Sequence, residues 1–591
     1  MSSIYILGIS CFYHDSSVTL VKDGVVVCAI EEERLSRRKH DNSFPENAIN
    51  YCLSYEKITM ADLTTVAFYE VPSLKFHRYM TQHLLHSPWS YGSFRASFPS
   101  WIKEKLNFEN ILKERYDYTG KITYVQHHLA HLASSFYPSG FESTAFVTLD
   151  GVGEWETSTF GVVHQNKITQ MGSISYPHSL GLFYSALTSF LGFSVNDSEY
   201  KVMGLAAYGN QNKETNIFYK RLCKIITVKD DGSYNLDIKY FDFLSASKMY
   251  TKRLSHLLEI APRNPTQEMK REYKDIASAV QMVTEDIALK IFNHVHKVTN
   301  EDNLVFAGGI ALNSVLNGKI LSKSPFKKMY IQPAAGDDGC SLGAALYAFH
   351  QIVPDQKPYK IDNIYLGPSF SDNFIEKFLN DHEISCKKYD SEETMIQSVA
   401  KLIFENNIVG WFQGRMEWGP RALGARSILG NPCNPNMQDI LNQKVKHREE
   451  FRPFAPAVCL EDAQKYFLCD VPIQEPAKFM LMVYPVREEY RSLLPAITHV
   501  DGSGRLQVVE WKTNPLYYNL IKSFGQISGI PMLINTSFNI KGEPIVCTPK
   551  DAYYCMMGTE IDFLVMGRYI IRRSDNINDI WVNKRDYLFF N

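Results

Sequence analysis

Apolar and polar positions along the chain fall into two matching runs. Ile4–Ser10 is apolar and Ser17–Val21 alternates. Lys22-Asp23-Gly24 has turn chemistry, and Val25–Ile30 is rich in β-branched residues. Such a run predicts three strands of a meander. The plan returns at Thr144–Leu149, Thr157–Val163, a polar turn at Gln165-Asn166-Lys167, and Ile168–Ile174. Each copy places a polar cluster directly after its first strand, His14-Asp15 in one and Asp150-Gly151 in the other.

A repeated unit of this kind predicts two similar halves with ligands bound between them, the α/β class of actin, the sugar kinases and Hsp70. The alternative is two unrelated hairpins. Between the copies, residues 45–120 read as helical and irregular, with Trp89, Tyr91, Phe94, Phe98 and Trp101 forming an aromatic stripe, either core or an acceptor-binding lid. Residues 265–300 read as helix. Asn303–Ala307 reads as a strand, Gly308-Gly309 as a turn and Ile310–Leu321 as a helix. Met329–Gln332 begins a second such unit, which passes through Gly336 into a helix over Cys340–Phe349.

The pattern changes after Val353–Lys360, which has linker composition. The expected domains are 1–355 and 366–591, joined by 356–365. In the second, Ile408–Phe412 is a short strand that runs into a Gly/Arg-rich segment, and the residues from about 575 carry no readable motif.

Composition narrows the class. The 591 residues are 45% hydrophobic and 21% charged, which supports packed cores in two or three domains. A net charge of −2 gives no field for bulk nucleic-acid binding. Eleven cysteines without a C-x-x-C read as reduced thiols of a cytoplasmic protein. No basic residue precedes the first apolar run, so it reads as a strand and not a signal peptide. No run approaches the ~18 apolar residues of a membrane helix.

Two clusters carry candidate chemistry. In the first domain His127-His128-Leu129-Ala130-His131 holds H-x-x-x-H, which on a helix puts His127 and His131 on one face. A zincin would have Glu after the first His; here it is His128. Asp150 at a strand end and Asp337-Asp338 at a strand-to-helix turn supply carboxylates. Two imidazoles with one or two carboxylates suit a first-row divalent ion, while an ordinary helical His pair is the plain alternative. Gly308, Gly309 and Asn313 open a helix, either for a nucleotide or for packing alone. His14 could take a proton from an alcohol or be a structural His. The run Glu31-Glu32-Glu33-Arg34, followed by Arg37-Arg38-Lys39-His40, reads as a solvated face with local ion pairs, a polyanion-binding patch being the alternative.

In the second domain Arg415, Arg421 and Arg426 lie in WFQGRMEWGPRALGARSIL, and Lys444, Lys446, Arg448 and Arg452 in KVKHREEFRPFAP. Arg505 follows in DGSGRLQ, and Asn535 and Ser537 sit in a polar segment read as a loop after a strand. Clustered guanidinium forks with Gly and Ser donors suit a phosphate-rich ligand. There is no Walker motif. The alternative is a surface cluster paired to Glu417, Glu449 and Glu450.

The segments GISCFYHDSS, EEERLSRRKH, HHLAHLAS, LDGVGEW, AGGIALN, GDDGCSLGAA, WFQGRMEWGPRALGARSI, FRPFAPAV and NTSFN, in this order, resemble the O-carbamoyltransferases of antibiotic and nodulation-factor pathways. The resemblance runs nearly end to end. It implies a Kae-like first domain and a YrdC-like α+β second domain. It implies carbamoyl phosphate and ATP with Mg(II) as co-substrates, a carbamoyl-adenylate intermediate, and Fe(II) or another first-row ion. By motif, the metal ligands fall on His127, His131, Asp150 and Asp338, Asp338 being preferred to Asp337 because it directly precedes the Gly. The base falls on His14. The phosphate and nucleotide ligands fall on Arg415, Arg421, Arg426, Lys444, Arg448, Arg452, Arg505 and Asn535, the three first arginines being catalytic as well; KVKHRE leaves Lys446 an equal candidate to Lys444.

The implied acceptor is a hydroxyl of a small natural product: a glycoside, a macrocycle or a saxitoxin-type guanidinium alkaloid. Residues 45–120 and 176–200 would select it. Nucleic acid and membrane are not implied, and a monomer or homodimer is expected. Hydrogenase maturation and tRNA modification share these domain types, but the first uses cysteine zinc fingers and the second a basic RNA surface. A non-catalytic iron- or nucleotide-binding module is the remaining alternative.

Overall fold

A computed structural model describes residues 3–244, 248–449 and 451–576. The chain forms two compact units, one of Met1–Glu32 with His40–Ile361 and the other of Glu33–Lys39 with Asp362–Asn591.

The first unit repeats one topology. In the first copy β1 (Tyr5–Ser10), β2 (Ser17–Lys22) and β3 (Val25–Glu31) form the antiparallel meander, and β4 (Thr65–Phe68) and β5 (Ile122–Tyr124) add in parallel beyond β1, giving the order β3-β2-β1-β4-β5. In the second copy β6 (Ser143–Leu149), β7 (Glu156–His164) and β8 (Lys167–Ser175) form the meander. A small ribbon of β9 (Ile226–Val228) and β10 (Tyr234–Leu236) stands apart. Then β11 (Asn303–Ala307) and β12 (Lys328–Tyr330) add in parallel beyond β6. Read from the outer meander strand, the orders coincide: 3-2-1-4-5 and 8-7-6-11-12. This is the duplicated actin/sugar-kinase-type α/β architecture.

Each copy sends a helix from its last strand, His127–Ser139 after β5 and Cys340–Ile352 after β12. The helices exchange partners: His127–Ser139 packs on β6 and β11, and Cys340–Ile352 on β1, β2 and β4. They also pack on each other, and a Cβ on Gly343 would lie 1.8 Å from the Ala130 carbonyl oxygen. Only glycine permits that approach. The strands ending in loops with His14, Asp150 and Asp337 are thereby gathered against the first turn of His127–Ser139.

The helical stretch of the first copy holds Glu46–Glu56, Pro72–Leu85, Tyr91–Lys103 and Phe108–Tyr116, together with the short buried strand β4, which period alone does not distinguish from helix core. The 265–300 reading matches Arg271–Thr299. The expected helix at 310–321 is instead a 3-10 turn, Gly309–Leu312, followed by the helix Ser314–Lys323, because Asn313 caps the latter.

The second unit is built on one mixed nine-stranded sheet. Its strands are β13 (Lys387–Lys388), β14 (Val409–Phe412), β15 (Arg426–Gly430), β16 (Ala455–Cys459), β17 (Met482–Pro485), β18 (Ser503–Val509), β19 (Met532–Ser537), β20 (Phe563–Met566) and β21 (Tyr569–Arg572). They lie in the order 13-21-20-14-15-19-16-18-17. Glu392–Phe404 and Pro515–Ser528 cover the sheet, burying Ile396, Val399, Leu520 and Phe524 against Val409, Leu429 and Leu533. Asn535 and Ser537 belong to β19 and not to a loop; Asn535 is registered between Leu429 and Ala455. Among the described residues no helix is long and apolar enough to cross a membrane. The motif-free residues 577–591 lie outside the described ones.

The first four residues of the charged run 31–40 are not a solvated face, while Arg38 is exposed. Glu31, Glu32, Glu33 and Arg34 are all buried. Glu32 stays with the first unit and accepts from Ala48 N at 2.8 Å. The next seven residues join the second unit. There Arg34 pairs with Glu33 and donates to the Gly419 carbonyl at 3.1 Å, and Arg37 donates to the carbonyls of Ile545 and Pro544 at 2.6 and 2.9 Å.

Candidate active site

The loops of the first unit bring four buried ligand atoms within 4.8 Å of one another, from His127, His131, Asp150 and Asp337. His127 and His131 project from the first turns of one helix face. Their Nε2 atoms are 3.1 Å apart. His127 Nε2 is 3.3 Å from Asp150 Oδ2 and 3.6 Å from Asp337 Oδ1; His131 Nε2 is 3.4 Å from Asp337 Oδ1. Two imidazole nitrogens aimed at each other, with two carboxylates closing on the same point, form a donor set suited to one cation. Two buried carboxylates so close repel, and burial disfavours both; the imidazoles reverse this and hold Asp150 well below the usual carboxylate range. The set matches the imidazole and oxygen preference of a first-row divalent ion.

The supporting contacts fix the geometry. Gly309 N donates to Asp150 Oδ1 at 2.8 Å. Gly308, at φ +94, turns the chain tightly enough that a Cβ there would lie 2.2 Å from the Leu149 carbonyl oxygen. Glu154 accepts from His127 N at 3.1 Å at the helix N-terminus. His128 faces away: Nδ1 meets Thr148 Oγ1 at 2.7 Å and Nε2 the Glu156 carbonyl at 2.9 Å, and burial pushes it down to about 3.

Of the two aspartates, Asp337 and not the expected Asp338 lies with the histidines and Asp150. The two aspartates open a 3-10 turn, Asp337–Gly339. Successive residues of such a turn point about 120° apart, so one carboxylate can face the histidines. That one is Asp337. The Asp338 carboxyl is pushed up to about 8 by burial and by Asp15 and Glu31.

His14 borders the cluster, with Nε2 3.9 Å from Asp337 Oδ2 and Nδ1 3.2 Å from Asp15 Oδ2. Asp15 also meets His40 at 2.8 Å, and His40 meets Asp197 at 2.8 Å. Burial pulls His14 down, but Asp337, the Asp15 bond and Asp150 outweigh it and raise it to about 9. Asn313 is used by the fold: its Oδ1 caps Ser314–Lys323 through Leu316 N at 3.1 Å, and its amide pairs with Gln281.

The second unit sorts its cations. Lys446 is buried, and its Nζ is bonded to the Ser537 carbonyl and to Asn539 Oδ1 at 2.9 Å. Burial, with Arg448 and Arg452 nearby, holds it well below the usual lysine range. Lys444 is an exposed partner of Glu560 at 3.4 Å. Arg448 donates to Asn442 Oδ1 at 2.8 Å and lies over the Phe454 ring at 4.6 Å, and Arg452 meets Glu449 at 3.4 Å. Arg415 donates to the carbonyls of Gly367 and Leu366. Arg426 is fully buried. It lies 3.7 Å from the Phe412 ring centroid and donates to the carbonyls of Gln413 and Pro368 at 2.8 and 3.0 Å, so it pins the Gly/Arg loop from inside. Arg421 and Arg505 are half-buried, and Asn535 donates to Gln507 at 2.6 Å.

Glu417 is no surface partner of these arginines. It is buried and accepts from the backbone N–H groups of Leu423, Ala425 and Arg426 at 2.6, 3.2 and 3.2 Å, which braces the loop around the carboxylate. Glu450 lies outside the described residues. Arg34 and Arg37 also belong to this unit, though a sequence separation of nearly four hundred residues gave no signal of it.

Residues 5–346 match the family model of the carbamoyltransferase N-terminus, and residues 400–573 that of the carbamoyltransferase C-terminus. The chain belongs to the carbamoyltransferase family and is a transferase. It is 42% identical over 603 residues to an uncharacterised protein of Synechocystis sp., covering 96% of this chain and 97% of that one. It is 36% identical over 577 residues to the nodulation protein NolNO of Sinorhizobium fredii, covering 96% and 80%. To the 3'-hydroxymethylcephem-O-carbamoyltransferase of Streptomyces clavuligerus it is 33% identical over 270 residues, covering 46% and 49%.

Proposed function

We propose that the chain is an ATP-dependent O-carbamoyltransferase with a hydroxylated small molecule as acceptor. The observation that carries this is the convergence of His127, His131, Asp150 and Asp337 beside His14, in a chain of this family. In the YrdC-like second unit water attacks carbamoyl phosphate, and the C–O–P linkage breaks to give carbamate and phosphate. A carbamate oxygen then attacks the α-phosphorus of ATP, accompanied by Mg(II), and pyrophosphate leaves. In the first unit the acceptor oxygen attacks the carbamoyl carbon, AMP leaves, and the alcohol proton passes to His14 Nε2. Adenylation supplies the leaving group that carbamate lacks.

His127, His131, Asp150 and Asp337 would hold the divalent ion, with iron(II) the first candidate. Bound there, it would supply positive charge that offsets the carboxylates and brings His14 toward its neutral, proton-accepting form. Asp15, backed by His40 and Asp197, orients the His14 ring. Gly308, Gly309 and Asn313 form the wall nearest the adenylate. Lys446, Arg448 and Arg452 bind phosphate oxygens, with Arg415, Arg421 and Arg505 beside them, while Arg426 and Glu417 hold the loop in shape for that work.

Incubation with carbamoyl phosphate, ATP and Fe(II) should release pyrophosphate and yield carbamoyl-adenylate by mass spectrometry. Absence of pyrophosphate would sink the reading. His14→Ala should stop transfer to an acceptor and leave adenylate formation standing; equal loss of both steps in a folded variant removes His14 as the base.

A further inference from the structure

The residue before His14 opens onto a group of cations in the first unit that the chemistry above does not use. The Tyr13 ring lies 5.0 Å from the His14 ring. Over Tyr13 stand Lys75 Nζ, 4.8 Å from the ring centroid, and Lys105 Nζ, at 5.8 Å. Lys105 also lies 4.7 Å from the Trp101 ring, and Arg78 lies 5.2 Å from the Tyr176 ring. Lys75 and Arg78 share one face of the helix Pro72–Leu85, three residues apart.

These charges are short of anions. Lys75 is 2% exposed and pairs with Glu70. Among the described residues Arg78 and Lys105 are in no ion pair, and Arg78 Nε is buried without a hydrogen-bond partner. Glu154 is near Arg78, but its carboxylate accepts from Val71 N at 2.8 Å and His127 N at 3.1 Å. Glu104, next to Lys105, is exposed. Aromatic faces ease the burial of a cation without neutralising it. A half-buried guanidinium and ammonium left in this way, the Arg78 Nε itself buried, cost folding energy, which an incoming anion offsets.

We propose that Lys75, Arg78 and Lys105 form the acceptor subsite for an anionic group, a carboxylate or phosphate carried by the molecule whose hydroxyl reaches His14. This rests on the carbamoyl-transfer reading and narrows it: acceptors with a negative group are favoured, and guanidinium or polyamine acceptors meet like charge. The aromatic walls take the apolar or sugar-ring face of the same molecule. The other source of such an anion is the phosphate of the donor nucleotide, and one arm of the test separates the two.

The test is equilibrium dialysis of the full chain with radiolabelled glucuronate, glucose 1-phosphate, glucose, glucosamine and AMP, for the wild type, Arg78→Gln, Lys105→Gln and Lys105→Arg. The anionic sugars should bind about tenfold or more tightly than glucose, the yield of one charge-assisted contact, and glucosamine more weakly. Arg78→Gln and Lys105→Gln should each remove most of that preference, and Lys105→Arg should restore it. Lack of an anion preference, whether all sugars bind alike or none binds, overturns the proposal. So does a preference that survives both Gln variants. An AMP affinity that falls in step with the sugars assigns the cations to the donor and overturns the acceptor subsite. Circular dichroism separates loss of fold from loss of site. Pyrophosphate release by the wild type reports separately on carbamoyl-adenylate formation, the step on which the carbamoyl-transfer reading stands, so the two readings fail on different measurements.

Discussion

In the first unit the ligand atoms of His127, His131, Asp150 and Asp337 crowd to within 4.8 Å, each facing the others. In the second unit the cations are tied to different oxygens: Lys446 to Ser537 and Asn539, Arg448 to Asn442, Arg415 to Gly367. The first arrangement suits one small, dense charge of opposite sign. The second suits a ligand whose negative charge is spread over many oxygens. The contrast therefore tells which kind of ligand each unit is organised for.

The largest expected effect breaks the first arrangement. Asp337→Asn should abolish retention of added Fe(II), read by elemental analysis after desalting, and lower carbamoyl transfer by about 100-fold or more, the size seen even for groups that only support a metal ligand. Asp338→Asn should retain the metal. The reverse pattern would restore Asp338 as the ligand and undo the geometric assignment.

The second arrangement is sharpened by a pair of lysines two residues apart. Lys446→Met should reduce pyrophosphate release by about 10- to 100-fold, the loss of a buried charge-assisted contact. Lys444→Met should change it by no more than about twofold, since exposed ion pairs are worth little. Equal effects would mean that burial does not mark the working lysine. A smaller, structural effect is expected at Glu417→Gln: about 1–3 kcal/mol of stability, measured by denaturant unfolding, because three backbone N–H groups then meet a weaker acceptor. Unchanged stability would leave the loop's bracing unexplained.

These contrasts also show what a sequence discloses. The meander repeat and the His127–His131 face were legible, because period and i,i+4 spacing are local properties. The strands β4 and β5 were not, being three or four residues long and inside helical flanks. The choice between Asp337 and Asp338 needed the sense of a single 3-10 turn. Arg426 and Glu417 could be read only as charges, since composition does not say whether a charge meets solvent, ligand or backbone. The burial of Glu33 and Arg34 depends on pairing with a unit that begins more than three hundred residues later. Lys75, Arg78 and Lys105 lay in a segment whose aromatics drew the reading toward core or lid, and nothing in their spacing announced that two of them stand over Tyr13 and the third beside Tyr176.

The smallest effect concerns pH, and it falls on Lys105 in the first unit. Burial, then repulsion from Lys75, lowers Lys105 to about 8, with Glu70 and Glu104 opposing and Arg78 adding to the repulsion. Its charge is therefore present below pH 8 and lost above it. Tyr13, pushed up to about 12 by burial, keeps its proton through this window. Arg78 stays charged, and Lys75 is raised above the usual lysine value because Glu70 outweighs its burial. Anion affinity of the subsite should then fall as pH rises from 7 to 9, by about fivefold if the lost attraction is near 1 kcal/mol. Lys105→Arg should flatten the profile and Lys105→Gln should give the high-pH affinity throughout. An unchanged profile in Lys105→Arg would place the titration on another group and leave Arg78 with Lys75 as the anion-binding pair.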